Sequence, residues 1–121
     1  MNYDDNNIFA KILRGEIPCS KIYEDNYVLS FYDINPQKKI HALIIPKGKY
    51  VDLDDFNTNA SNDEIVGLMK GITIVSKKLG ISSIDGKGYR ALANVSDYGG
   101  QEVPHLHFHL FGGEKVGKMV S

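Results

Sequence analysis

The sequence predicts an α+β fold: a five-stranded antiparallel sheet with two helices. Three observations lead there. Apolar residues recur at helical spacing in two segments, 7–15 and 62–79. Five other segments are β-rich runs bounded by Gly, Pro, Asn and Asp. The strands follow one another through hairpin-like connections, which favours antiparallel pairing. A chain of 121 residues is one domain, taken as 1–121.

The elements follow in chain order. Segment 7–15 places apolar residues at 8, 9, 12 and 13; Asp5 or Asn6 can cap it, and Gly15 suits its end. A turn follows at 17–19. Segment 21–33 is β-rich on both sides of Glu24-Asp25-Asn26 and reads as a hairpin, its second strand stopped by Asn35-Pro36. The run 41–45 is a third strand, closed by Pro46, and 52–56 is a loop or a short turn of helix. The long helix 62–79 opens with Ser61 and Glu64 in a capping box, carries an apolar stripe at 65, 68, 69, 72, 75 and 79, and stops at Gly80. Gly67 and Gly71 inside it each cost about 1 kcal/mol relative to Ala. They either admit a close neighbour or are merely tolerated. Segments 88–94 and 103–111 are the fourth and fifth strands, separated by a glycine-rich turn at 96–100.

Composition excludes several classes of function. Net charge is −1, and no basic run exceeds a lysine pair, so a nucleic-acid-binding surface is not expected. No apolar run approaches the ~20 residues of a membrane span. The opening MNYDDNNIF is acidic and polar, unlike a secretory signal. Cys19 stands alone, without an adjacent His, and reads as structural; one cysteine allows no internal disulfide. A cytoplasmic protein is expected.

Residues 105–111 read HLHFHLF and hold three of the four histidines. Side chains alternate along a strand, so His105, His107, His109 and Phe111 share one face, while Leu106, Phe108 and Leu110 face the core. Pro104 marks a strand start or edge, which makes the histidine face the open side of the sheet. Three readings stand at this point. The histidines are a polar face by chance. They are metal ligands, with His41 or Glu102 adding another. Or one neutral imidazole is a nucleophile while a protonated neighbour donates to the anion under attack. The glycine-rich turn directly upstream suits an anion, and with it a phosphorus centre.

GGQEVPHLHFHL, residues 99–110, resembles the signature of the histidine triad (HIT) family, in which histidines alternate with apolar residues. The likeness extends to IFAKILRGEIP at 8–18, FYDINPQ at 31–37 and HALIIPK at 41–47, covering about 7–113. The Hint branch, with its glycines before and after the triad, is the nearest.

This resemblance implies a purine nucleotide-binding hydrolase (AMP or GMP) that cleaves nucleoside phosphoramidates without a metal or other cofactor. Dinucleoside polyphosphate hydrolysis and a nucleotide-binding adaptor with vestigial catalysis are the alternatives. By the match, His107 is the nucleophile and forms a nucleotidyl-histidine. His109 donates to phosphate oxygens or the leaving group, and His105 and His41 support them. Asn94 and Gln101 contact phosphate by side chain, with the backbone from Gln101 through Glu102 to Val103 completing the cradle. Asp33 accepts the ribose hydroxyls; unaided, it reads as a turn former before Asn35-Pro36. Ile8, Phe9, Ile12, Phe31 and Ile34 line the base pocket, although all five alone read as core. The resemblance also implies a homodimer in which two sheets run into one, with Gly67, Gly71 and the strand 90–94 suited to the contact. Two departures stand out. Glu102 replaces the Ser common in relatives and can attract a cationic leaving amine. The tail 114–121 has no Trp.

Overall fold

The computed structural model describes residues 2–119; Met1 and the end of the tail, Val120 and Ser121, lie outside it. Helix α1 spans Ile8–Leu13, and strands β1 (Lys21–Glu24), β2 (Val28–Tyr32) and β3 (Ile40–Pro46) follow. Then come helices α2 (Leu53–Asn59) and α3 (Asn62–Lys78), and strands β4 (Arg90–Leu92) and β5 (Phe108–Gly112). The strands form one sheet in the order β1-β2-β3-β5-β4, with every neighbouring pair antiparallel.

Most elements lie where the sequence places them. Ser61 and Glu64 close both halves of the capping box on α3, and Gly80 takes φ 72 just beyond its end. Four details differ. The cap of α1 is Asn7, whose side chain accepts the Ala10 N–H, rather than Asp5 or Asn6. The stretch after β3 becomes a third helix, α2, because the Asp52 side chain accepts the Asp55 N–H and starts a turn that continues to Asn59. The fifth strand begins at Phe108, not 103: Pro104 cannot donate to a ladder, and His105 N–H bonds back to Val103 O. The fourth strand likewise shrinks to three residues.

The sheet is covered on both faces. One face carries the larger core, Val28, Ala42, Ile44, Leu106 and Leu110 packed against Phe56 of α2 and Leu68, Ile72 and Val75 of α3. The other carries Leu29, Phe31, Leu43 and Ile45 under Phe9 of α1. The α3 glycines admit the chain's own sheet. A Cβ at Gly67 would sit 2.8 Å from Tyr27, and one at Gly71 would sit 3.1 Å from Ile44 and 3.2 Å from Val28. Both glycines thus make room for side chains of their own subunit.

Candidate active site

His41 lies on β3 on the same face as Leu43 and Ile45, and β5 beside it carries His109, with Leu43 opposite His109 and His41 opposite Phe111. His105 and His107 sit on the extended approach to β5. The alternation holds: Leu106 and Leu110 enter the α3-side core, while the three histidines turn to the α1 side. This face is not open. His105 is fully buried and His107 nearly so, roofed by Tyr3 and Phe9. The Phe9 ring meets His107 edge to face at 4.9 Å. Helix α1 closes this face because Phe9 packs on Phe31, their ring centres 5.6 Å apart.

The hydrogen bonds assign each imidazole a tautomer. His107 Nδ1 lies 2.8 Å from the His105 carbonyl oxygen, which can only accept, so Nδ1 carries the proton and Nε2 keeps a lone pair. His105 Nε2 lies 2.9 Å from Pro46 O and must donate there, leaving Nδ1 to accept the Tyr3 hydroxyl at 2.5 Å. His41 Nδ1 accepts the Gln37 N–H at 3.2 Å, so its Nε2–H donates to His109 Nδ1 at 2.9 Å. His109 then carries its own proton on Nε2. The site therefore offers a bare nitrogen on His107 beside an N–H donor on His109, with ring centres 5.0 Å apart.

All four rings favour the neutral form. Burial pushes His105 down to about 4, an effect opposed by its Pro46 bond. Burial also takes His109 to about 4, helped by repulsion from His107 and His41. His107 is lowered by burial against the opposing His105 carbonyl bond and the charges of Asp33 and Glu102. His41 is lowered by burial against the pull of Asp33. A permanently protonated donor beside His107 is therefore not part of the resting site; the donor is a neutral N–H.

The remaining expected residues divide. Asp33 borders the histidines, its Oδ2 3.4 Å from His41 Nε2, while its Oδ1 accepts the Asn35 N–H and makes the turn as well. Val103 packs against the α1-side cluster. Asn94 is half-buried on the loop leading to the triad. The Gln101 side chain is committed elsewhere: it donates to Val51 O and Val103 O and accepts the Ser96 N–H. These bonds brace the loop, with the side chain turned to the chain's own backbone. Glu102 is exposed, and its carboxylate has no partner among the described residues. Phe9 and Phe31 are core and Ile12 is half-buried, whereas Ile8 and Ile34 are exposed at 42% and 85%. The sequence reading missed Tyr3. Only the fold brings residue 3 to residue 105, and no local pattern marks it.

Asp33, His41 and His109 hold ligand-type atoms within 4.8 Å of one another. A divalent ion there would need the Nε2 lone pair of His41. That would move its proton to Nδ1, against the Gln37 N–H already pointing at it. The trio suits a shared N–H better than a metal.

The model of the HIT domain matches residues 14–116. The chain belongs to the HIT domain family. A HIT-like protein from Azospirillum brasilense is 50% identical over 119 residues, covering 98% of this chain and 95% of its own. The purine nucleoside phosphoramidase of Escherichia coli K12 is 39% identical, covering 97% and 95%. Among solved structures, a HIT family hydrolase from Clostridium thermocellum superposes with a TM-score of 0.85 at 37% identity, covering 98% of this chain and 99% of its own. A histidine triad protein from Clostridium difficile gives 0.81 at 37%, covering 98% of each chain. The names of the phosphoramidase and of the HIT family hydrolase support a hydrolase in general, and no helix among the described residues is long and apolar enough to cross a membrane.

Proposed function

We propose that this HIT protein is a purine nucleotide-binding enzyme that hydrolyses nucleoside 5′-phosphoramidates through a nucleotidyl intermediate on His107. One observation carries the reading: Nε2 of His107 is held unprotonated by the bond from its Nδ1 to the His105 carbonyl, beside the free N–H of His109. The phosphoramidase activity named for the E. coli relative supports the substrate class.

In this scheme Nε2 of His107 attacks the α-phosphorus and the P–N bond breaks. The leaving nitrogen takes up one proton from the medium and departs as an amine. His107, now bonded at both nitrogens, carries a positive charge, which Asp33 and Glu102 favour. Water then attacks phosphorus, the N–P bond breaks, AMP or GMP leaves, and one proton returns to the medium. His109 donates its Nε2–H to a phosphate oxygen throughout, backed by His41. His105 supports His107 through its carbonyl. Asn94 and the N–H groups of Glu102 and Val103 complete the phosphate cradle. Asp33 Oδ2, the oxygen its turn leaves free, takes the ribose hydroxyls. Exposed Ile8 and Ile34 flank the base, with Phe9, Ile12 and Phe31 behind them.

The decisive experiment is acid-quenched trapping with radiolabelled adenosine phosphoramidate. Wild type is expected to carry acid-labile label and turn substrate over, while His107→Ala loses at least about 10³-fold in kcat. No label and no turnover in wild type would remove the enzyme reading in favour of a nucleotide-binding adaptor. Turnover of dinucleoside polyphosphates instead would move it to the other hydrolase class.

We also propose a homodimer in the cytoplasm. Strand β4 ends the sheet, short and half-exposed, with its outer edge open to a second copy. Sedimentation equilibrium at a monomer mass of 13.5 kDa would remove the dimer.

A further inference from the structure

His105 contacts no substrate in the proposed reaction, yet it is the most completely enclosed of the histidines of the triad, at 0% exposure. Its two ring nitrogens meet partners that differ in kind. Pro46 O can only accept, so it holds the proton on Nε2. Nδ1 is then a buried lone pair, and a buried acceptor without a donor costs the full desolvation of that group. The donor comes from the far end of the chain, as the Tyr3 hydroxyl at 2.5 Å. The Tyr3 ring adds an edge-to-face contact with the His105 ring at 5.6 Å.

Tyr3 is itself held. The residues between it and α1 are anchored on two sides, by Lys49 Nζ to Asp5 at 2.8 Å and by an Arg14 guanidinium N–H to Asp5 O at 2.8 Å. Asn7, the cap of α1, bonds back to Asp4 O through both its backbone N–H and its side chain. The segment is thus a strap fixed to β3's exit loop and to α1, and it delivers one hydroxyl to one imidazole.

We infer that Tyr3 is a positioning residue for this reaction: its hydroxyl locks the His105 ring between Tyr3 and Pro46, and so fixes the His105 carbonyl that aims His107. The chain of contact is continuous, since the same residue that receives Tyr3 on its ring receives His107 Nδ1–H on its backbone oxygen at 2.8 Å. Without the hydroxyl, the His105 ring keeps one anchor instead of two. The lone pair of His107 then spends less time in line with the phosphorus, while the nucleotide-binding surfaces at Asp33, Ile8 and Ile34 are untouched. The loss therefore falls on kcat and spares KM.

The inference rests on the phosphoramidase reading for its kinetic arm, and a second arm is independent of turnover. Tyr3→Phe keeps the ring contact and removes only the hydroxyl; Tyr3→Ala removes both. With adenosine phosphoramidate as substrate, Tyr3→Phe is expected to lower kcat about five- to thirtyfold with KM within about twofold, and Tyr3→Ala to lower it further. In ¹⁵N spectra of histidine-labelled protein, wild type should show His105 Nδ1 as a hydrogen-bonded acceptor and His107 as the Nδ1–H tautomer. Tyr3→Phe should move the His105 Nδ1 signal toward that of a free lone pair and broaden the His107 signals. A folded Tyr3→Phe with kcat within twofold of wild type, or with unchanged His105 and His107 signals, overturns the inference. If wild type turns over no phosphoramidate, the reaction reading fails and the spectra alone decide whether Tyr3 holds the pair.

Discussion

A nucleophilic imidazole must be neutral, and burial makes all four histidines so. The charge balance then poses a problem for an anionic substrate, because the ionised groups that bear on His107 are the carboxylates of Asp33 and Glu102. Their benefit comes late, when His107 becomes cationic. Before that, Glu102 repels phosphate unless the substrate carries a positive charge of its own. A leaving amine with a distal ammonium, such as lysine, supplies one. Wild type is expected to favour adenosine phosphoramidate of lysine over an uncharged analogue about three- to tenfold in kcat/KM, and added salt should shrink this. In Glu102→Ser the ratio should fall towards one; an unchanged ratio would sink the idea. At this scale the sequence reveals types of residue better than their roles. Alternation put His105, His107 and His109 on one face. Their inequality arises from Pro46, Gln37, Tyr3 and the His105 carbonyl, four partners that only folding assembles. Gln101 shows the converse, a polar residue in the right loop whose side chain is spent on Val51, Val103 and Ser96.

Among the elements, α3 was the most legible, because its capping box, stripe and terminal glycine all agree. The least legible was the approach to β5, where alternation continues through 105–107 without ladder pairing. Alternation records which way side chains point, not whether the backbone is paired. The short α2 was equally hidden, since an Asp-rich stretch serves a loop or a first helical turn alike. The glycines of α3 show a local rule overridden for packing. Gly67→Ala should gain about 1 kcal/mol from helix propensity. Its Cβ, however, would lie 2.8 Å from Cβ, Cγ and Cδ2 of Tyr27, and the Cβ cannot swing aside. We expect a net loss of about 1–3 kcal/mol in urea unfolding. In a Tyr27→Gly background, which removes all three of those atoms, the same change should become stabilising. Destabilisation of equal size in both backgrounds would refute the steric account.

The whole molecule is a sheet with cores on both faces, and the smaller core also holds the histidines. Enclosing imidazoles there ties stability to pH. In the unfolded chain these histidines titrate near 6.5, whereas burial lowers the folded values, to about 4 for His105 and His109. A depressed histidine binds fewer protons folded than unfolded between those limits. Its contribution is therefore complete above about pH 6.5 and is lost as pH falls towards 4. For His105, which is fully buried, the loss is on the order of 3 kcal/mol. Carboxylates add a separate loss at lower pH: Glu24, held down to about 2 by Lys21 and then Lys47, begins to lose its contribution as pH falls through the ordinary carboxylate value of 4.5 and goes on losing it towards 2. The two windows barely overlap, so the fall between pH 6.5 and 4 isolates the histidines. The expected unfolding free energy is level above pH 7, declines through that interval, and declines again below it. Replacing the imidazole in His105→Gln should make the first decline shallower, leaving the part due to His109, even if it lowers the plateau. A wild-type profile level from pH 7 to 4.5 would mean that the histidines titrate normally in the folded protein, and the neutral frame around His107 would fail with it.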